Sequence, residues 1–271
     1  MSTEPTSSEN PGDEGPLSVD GPMSIDEVMA ATAIPILEFG RAWMMSPASG
    51  ERAAELGLAP GFGFWVNGRA GAMGEVGADV AAAAIGFMAP DRVAELWGVR
   101  ADGLSALDIA VAYAAMAAEA SRPKLASMSD EELNELTALC DKIAAAALPS
   151  TGALFAGWRT LPRPGDPAGD ATVALNMMRE LRGGAHLSAV HAAGLGPHGA
   201  IMSVDDPVRG GPAGAERFGW TAPHPEPDTA SRAEAERLTS DICRPAFAAL
   251  DNAERHRFVA LVTQARAALD D

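Results

Sequence analysis

The sequence has very few cysteines. Cys140 and Cys243 are too few for a disulfide scaffold or a cysteine-based zinc site, and they favour a reducing compartment. Neither is flanked by a pattern that implies an activated thiol, and the chain has no G-x-S-x-G nucleophile elbow. No motif therefore predicts nucleophilic catalysis.

Basic residues are scarce relative to acidic ones. The chain has 20 lysines and arginines against 37 acidic residues, which gives a formal net charge of −17. The first 22 residues include five acidic and no basic residues, so the remaining chain still carries −12. A field of this sign repels phosphate backbones, and the arginines are spread along the chain. We therefore expect no nucleic-acid partner unless one face is locally basic.

Long apolar runs are also missing. No run reaches the roughly 18 residues typical of a membrane span, and the N-terminus has no charged-then-apolar signal pattern. We expect a cytoplasmic protein with no membrane partner. Residues 1–22 are rich in serine, proline, glycine and acidic residues with almost nothing to bury, which predicts a disordered acidic tail.

Helical patterns dominate from residue 23 onward. Ser24 with Glu27 and Ser129 with Glu132 are capping boxes, and each precedes apolar residues at helical spacing. Strand signals are scarce, with one short candidate at 200–204. The predicted fold class is all-α, a multi-helix bundle. Further helices are predicted over 49–56, 79–88, 91–97, 105–121, 151–161, 229–250 and 252–269.

The run LPRPGDPAGD at 161–170 is the best candidate for an internal boundary, because prolines and glycines deny it regular hydrogen bonding. It divides an N-terminal helical region, 23–161, from a C-terminal region, 162–271. In the second region Asp170 is expected to cap a helix that ends at Gly183-Gly184, and another helix follows over 186–193. Two short helices joined by a glycine turn describe a helix-turn-helix.

A glycine-rich aromatic loop at 57–74, GLAPGFGFWVNGRAGAMG, is the most informative segment. Pockets are typically apolar with a few placed polar groups, so this segment predicts the wall of a small-molecule site. A buried Arg69 would need either an anionic ligand or an acidic partner, for which Glu75 and Glu55 are candidates. The alternative is a tightly packed turn that binds nothing. The ligand-binding residues predicted here are Phe64, Trp65, Arg69 and Phe87.

A second polar cluster, Glu180, Arg182, His186 and His191, spans the predicted glycine turn. Arg182 and His186 complete the predicted ligand-binding set. The ordinary pKa of histidine lies near neutrality, so His186 is a candidate general base, and the alternative is a histidine that caps or packs at a helix start. His186 and His191 would diverge by about 140° on one helix, whereas zinc-binding pairs are spaced i, i+4. No metal site is predicted.

No cofactor is identified by the sequence. Gly61 and Gly63 begin a G-x-G-x-x-G pattern, but Val66 occupies the third glycine position. No β-branched strand precedes the pattern, and the dinucleotide fingerprint requires both features. We therefore reject a dinucleotide site, and the cofactor, if there is one, stays unknown.

The run ERAAELGLAPGFGFWVNGRAGAMGEVGADVAAAAIGFMAPDRVAELW, together with LRGGAHLSAVHAAGL, resembles a group of actinobacterial helix-turn-helix-like proteins of largely unassigned function. That group is related in fold to MarR-type winged-helix proteins. The resemblance implies an all-helical bundle with one winged-helix unit in the second half. Gly184 stands where relatives tend to carry an acidic residue, and FGWTAPHPEPDTAS is short and proline-rich where relatives have a helix and a wing. The unit is therefore expected to be degenerate.

Two functions remain open. The first is a helical small-molecule-binding protein on a winged-helix-derived scaffold, with enzymatic activity in the same pocket as a variant. The alternative is a DNA-binding transcriptional regulator of MarR-like type, which the resemblance favours and the net charge opposes. The resemblance also implies dimerisation through terminal helices, so the amphipathic pair at 229–269 predicts a homodimer.

Overall fold

The computed structural model describes residues 21–44, 46–206 and 209–270. Within these ranges the chain forms thirteen α-helices and two short 3-10 helices, and no β-strand, so the predicted all-α fold class is confirmed. Of the predicted acidic tail at 1–22, residues 1–20 lie outside the described residues, so its disorder stays a prediction. The α-helices are α1 (Ile25–Phe39), α2 (Pro47–Glu55), α3 (Gly63–Ala70), α4 (Ala78–Ile85), α5 (Pro90–Leu96), α6 (Ala106–Leu125), α7 (Asp130–Ala146), α8 (Ala153–Trp158), α9 (Pro167–Ala192), α10 (Gly196–Met202), α11 (Gly211–Arg217), α12 (Thr229–Phe247) and α13 (Asn252–Ala267).

Local sequence signals begin the long helices. The predicted capping boxes of Ser24 with Glu27 and of Ser129 with Glu132 are confirmed at the starts of α1 and α7. Two further boxes, which the sequence analysis does not identify, begin α6 and α13. Each box satisfies two backbone N–H groups that would otherwise lack an acceptor, so these helix starts are fixed by neighbouring residues alone.

The helix α9 is continuous over 26 residues, a length of about 39 Å. The predicted turn at Gly183-Gly184 and the two short helices on either side of it are therefore wrong. Gly184 lies where α9 passes the 3-10 helix Pro149–Thr151, and a Cβ added to it would lie 2.6 Å from Gly152 Cα. The glycine allows two backbones to approach closely instead of making a turn. The cap is Asp166, not Asp170, and the predicted strand at 200–204 falls mainly in α10.

Much of the segment predicted as a glycine-rich loop is also helical. It contains α3 and the 3-10 helix Gly71–Met73. Position 68 accepts only glycine, because the ring of Tyr113 occupies the space that a side chain would fill. A Cβ added there would come within 2.2 Å of Tyr113 Cγ. Packing against α6 therefore outweighs the weak helix propensity of glycine.

The helix α9 lies at the centre of the molecule, packed against α6, α7, α8 and α12. The largest hydrophobic core joins α1, α7, α9, α12 and α13, and includes Val28 and Phe258 from opposite sides of the predicted 161/162 boundary. The division into two regions stays a prediction. The apolar residues of α13, such as Leu261, are buried in this core, and the homodimer also stays a prediction. None of the described helices combines the length and apolarity needed to cross a bilayer.

Candidate functional site

A buried ion pair joins α3 to α9. Arg69 donates two hydrogen bonds to Glu180, from Nε to Oε1 at 2.8 Å and from Nη2 to Oε2 at 2.7 Å. The two side chains are only 8% and 2% exposed. Arg179 Nη1 donates to the same carboxylate, at 3.0 Å from Oε1. The bidentate geometry makes this a directional contact between the two helices, and because the pair is buried, removing either partner would leave an uncompensated charge.

Aromatic rings enclose the pair. The guanidinium carbon of Arg69 lies 4.4 Å from the centroid of the Trp65 ring, a cation–π contact. Tyr113 of α6 packs edge-on against Phe64, with ring centroids 5.0 Å apart. Trp43, in the turn after α1, also packs against Tyr113, with 4.6 Å between ring centroids. Two of the predicted ligand-binding residues, Phe64 and Trp65, therefore lie beside Arg69.

The buried charges do not balance. Burial raises the pKa of Glu180, but the charge and hydrogen bonds of Arg69, with the charge of Arg179, outweigh burial and the net pKa is lowered. Burial lowers the pKa of Arg179 to about 10, and the charge of Arg69 adds to this. All three groups therefore stay ionised near neutral pH, and two guanidinium groups share one carboxylate.

Three buried donors in this region lack a hydrogen-bond acceptor among the described residues: Trp43 Nε1, Tyr113 Oη and Arg179 Nε. Burial raises the pKa of Tyr113, so its hydroxyl keeps its proton. A buried donor without an acceptor costs roughly 1–3 kcal/mol. An excess of donors suits a ligand rich in acceptor oxygens. We call Trp43, Arg69, Tyr113, Arg179 and Glu180 the polar core.

The remaining predicted residues lie between α9 and α12. His186 Nδ1 and Thr239 Oγ1 are 2.9 Å apart, and Phe87 stacks on the imidazole with 5.6 Å between ring centroids. Arg182 Nη2 donates to Glu236 Oε2 at 2.6 Å. Arg182 and His186 thus each have a polar partner on α12.

The body of α9 separates the two groups of predicted residues. Successive residues of an α-helix are rotated by about 100°, so the side chains of Glu180 and Arg182 point in nearly opposite directions. The six predicted residues therefore do not line one pocket. Phe64, Trp65 and Arg69 lie with the polar core, whereas Phe87, Arg182 and His186 lie on the α12 side.

We expect the protein to lose stability in weakly acidic solution because of His186. Burial lowers the pKa of His186 from 6.5 to about 4, although the charge of Glu236 acts in the opposite direction. Between these values the unfolded chain binds a proton that the folded chain does not bind. The stability that the neutral His186 contributes to the folded chain is therefore fully present above pH 6.5, and it is lost as the pH falls towards 4. We expect a loss of about 2 kcal/mol, allowing for the part of the ring that solvent reaches.

Urea unfolding of the wild-type chain and of His186→Gln between pH 7 and pH 4.5 measures this effect. The glutamine variant keeps a polar side chain near Thr239 but has no proton to gain in this range. Its free energy of unfolding should fall less steeply as the solution is acidified. Identical pH dependence in the two proteins would contradict the prediction.

A cavity of about 440 Å³ lies near the second cluster. Its walls come from α4, α5, the end of α9, the start of α10 and Trp220, and they are mostly apolar. Gly86 forms one wall at a positive φ of 77°, and a Cβ there would meet the side chain of Leu187 at 2.7 Å. His191 is a lining residue, but none of the six predicted ligand-binding residues is.

Cysteines and histidines form no metal-binding group in the described ranges. Cys140 is fully buried in the hydrophobic core, and burial raises the pKa of its thiol well above the ordinary range. Burial also raises the pKa of Cys243, to about 11. Both sulfurs therefore stay protonated near neutral pH. His198 and His224 are hydrogen-bonded to each other at 3.0 Å.

Most of the polar core is not evident from the sequence. Glu180 is recognisable as polar but is separated from Arg69 by 111 positions, and only the fold brings them together. The predicted partners Glu75 and Glu55 are wrong, because each lies at the surface in another ion pair. One available signal is the charged pair Arg179-Glu180 directly after the apolar run ATVALNMM, since charges at core positions need partners.

One comparison with known proteins gives a match, and that match covers most of the chain. A model described as a helix-turn-helix family matches residues 35–231, which contain α2 to α11 and every member of the polar core. No curated protein and no solved structure matches the chain.

Proposed function

The chain belongs to a helix-turn-helix family, and we propose that it acts there as a small-molecule-binding protein whose ligand contacts the polar core. The finer relation, to actinobacterial relatives of MarR-type winged-helix proteins, is part of the same proposal. It rests on the resemblance of the α2–α5 segment described above.

The observation that carries the proposal is the set of three buried donors without acceptors. Native proteins satisfy nearly all buried polar groups, so several unsatisfied donors from three separate segments in one region need an explanation. Trp43, Tyr113 and Arg179 come from the turn after α1, from α6 and from α9. A ligand that presents acceptor atoms to them would remove the cost of their burial.

Three of the predicted ligand-binding residues have a positioning role in this proposal. Trp65 packs against the guanidinium of Arg69, and Phe64 packs against the ring of Tyr113, so these contacts hold both groups in place. Arg69 is committed to Glu180, so it positions the carboxylate and leaves Arg179 with an unused donor. His186 lies on the other side of α9. The proposal therefore assigns binding and no reaction.

Thermal unfolding with a library of acceptor-bearing metabolites, together with native mass spectrometry of the purified full chain, tests this proposal. A ligand at a hundredfold excess over its Kd should raise the Tm by about 5 °C. Tyr113→Phe should remove most of that rise. The variant itself should be at least as stable as the wild-type chain, because it removes an unsatisfied hydroxyl.

Trp43→Phe should act in the same way as Tyr113→Phe. Its matched control is Trp97→Phe, which loses an indole N–H that donates to Val76 O outside the polar core. The control should keep the ligand response. The proposal is wrong if no ligand raises the Tm of the wild-type chain, or if Tyr113→Phe and Trp43→Phe respond as fully as Trp97→Phe.

The second candidate function is DNA binding, which family membership favours. The net charge of −17 opposes DNA binding, because a negatively charged protein repels phosphate backbones. Ion pairs between arginines and neighbouring carboxylates also oppose DNA binding, because they occupy groups that would otherwise contact phosphates. On α12, for example, Arg237 is engaged by Glu234 and Asp241, so this helix presents no continuous basic face.

A salt series with random duplex DNA separates the two functions. We expect no measurable binding between about 50 and 200 mM salt, because the net charge is −17 and Arg237 of α12 is paired with two carboxylates. Affinity that falls steeply with increasing salt would instead support the DNA-binding regulator. Fluorescence anisotropy of labelled duplex with the full chain measures this directly.

A further inference from the structure

The cavity of about 440 Å³ beside α4 differs in chemistry from the polar core. Its walls are apolar side chains and a glycine, except for Asp79 and His191. Among the described residues no arginine, no lysine and no member of the polar core lines it. Its volume lies within the range of small-molecule pockets, roughly 300–1,000 Å³. We call it the α4 cavity, because α4 contributes Asp79, Ala82 and Ala83 to its walls.

Contacts outside the α4 cavity fix the aromatic part of its wall. Trp220 donates a hydrogen bond from Nε1 to the carbonyl oxygen of Phe87, at 2.9 Å. Its indole also stacks on the imidazole of His198, with 4.8 Å between ring centroids and 13° between ring planes. His198 is in turn hydrogen-bonded to His224. The Trp220 ring is therefore held in one orientation, so a ligand that packs against it does not have to order it first.

The same walls contain a carboxylate that has no partner. Asp79 is exposed in the first turn of α4, and within the described ranges it makes no hydrogen bond and no ion pair. The walls offer few donors, because Trp220 Nε1 is already used and His191 carries no permanent positive charge. The net charge of −17 attracts cations and repels anions. Both the walls and the overall charge therefore suit a ligand that is apolar and positively charged.

We propose that the α4 cavity binds a small hydrophobic amine, whose apolar body packs against Trp220, Leu187 and Ala83 and whose ammonium group contacts Asp79. Apolar walls favour burial of the body, and a carboxylate accepts charge-assisted hydrogen bonds from an ammonium group. The volume corresponds to about fifteen waters at roughly 30 Å³ each, which suits one ring with a short side chain. The α4 cavity shares no residue with the polar core, so this ligand is additional to the one proposed above.

Three probes that share a phenyl group and differ in charge test this site: 2-phenylethylamine, 2-phenylethanol and phenylacetate. Each is titrated into the full chain at constant pH and ionic strength, and NMR follows the indole N–H resonance of Trp220, assigned with Trp220→Phe. The amine should shift this resonance saturably. The alcohol should bind about fivefold more weakly, the upper end for an exposed ion pair, and phenylacetate should bind more weakly still.

Two pairs of variants locate the contacts. Asp79→Asn should remove most of the preference for the amine over the alcohol, whereas Asp130→Asn, which removes an exposed first-turn carboxylate from α7, should keep it. Ala83→Leu places a larger side chain at an exposed position of the wall and should weaken binding of all three probes at least tenfold. Ala94→Leu makes the same change at an exposed position of α5 that does not line the cavity, and it should bind as the wild-type chain does.

The results distinguish this site from the polar core. Absence of a saturable shift of the Trp220 resonance with the amine would overturn the assignment. Equal affinity for the three probes would overturn it as well, and so would equal loss of the amine preference in Asp79→Asn and Asp130→Asn. The ligand proposed for the polar core is tested separately by Tyr113→Phe, which should leave amine binding unchanged.

Discussion

The Glu180→Gln variant should be less stable than the wild-type chain by about 3–5 kcal/mol, because it leaves two buried guanidinium groups without a negative partner. The amide keeps the shape of the carboxylate, so packing around α9 changes little. What changes is the charge. Arg69 and Arg179 both donate to the Glu180 carboxylate, and the two ends of the Arg69–Glu180 pair are almost fully enclosed. Chemical denaturation at pH 7 with linear extrapolation measures the loss.

Glu95→Gln is the matched control for this prediction. It makes the same chemical change in an ion pair of similar length, 2.7 Å to Arg92, but its side chain is 63% exposed. Exposed pairs contribute little, so we expect a change within about 0.5 kcal/mol. A loss below about 1 kcal/mol in Glu180→Gln would mean that water reaches the pair in solution. The polar core would then not be the enclosed region from which ligand binding is proposed.

The starts of the long helices could be predicted because their signals are local. A capping box needs a serine and a carboxylate three positions apart, and both partners are visible in the sequence at Ser24 and Ser129. The all-α class follows from the same local patterns. Nothing beyond neighbouring residues is needed for either conclusion.

Glycine positions could not be interpreted locally. Gly68 and Gly184 both lie inside helices where the sequence predicts a loop or a turn. Each is accounted for by a distant neighbour, the Tyr113 ring in one case and the Gly152 backbone in the other. A glycine that allows close packing and a glycine that allows a turn look alike in a sequence, because the difference lies in the tertiary contact.

The candidate site was predictable only in part for a related reason. The composition around Arg69 predicts a charged group among aromatic residues in the wall of a ligand site; the structure places Trp65 within cation–π distance of Arg69, and the ligand site stays a prediction. The identity of its acidic partner depends on how α3 and α9 meet. Charge and burial can predict that Arg69 needs a partner, but they cannot select Glu180 among 37 acidic residues.

Alanine substitution at the two adjacent glycines of α9 should give opposite results. We expect Gly184→Ala to destabilise the protein by about 3 kcal/mol, at the upper end of overpacking effects. Its added Cβ would lie 2.6 Å from both Gly152 Cα and Thr151 O, which are backbone atoms that cannot rotate away. We expect Gly183→Ala to stabilise the protein by about 0.5–1 kcal/mol, because alanine is the better helix former. The nearest atom to its Cβ would be Glu180 Oε2 at 4.0 Å, an ordinary contact.

The pair of variants also decides between a continuous helix and a turn at this place in the chain. In a glycine turn with positive φ, alanine would be strained at whichever position adopts that conformation, and neither substitution would gain helix propensity. In α9 neither glycine has a positive φ, so only the contact with Gly152 distinguishes Gly183 from Gly184. Thermal and urea unfolding of both variants measures the difference, which should reach about 4 kcal/mol. Destabilisation of similar size in both would indicate that residues 183 and 184 form a turn in solution, as in a helix-turn-helix.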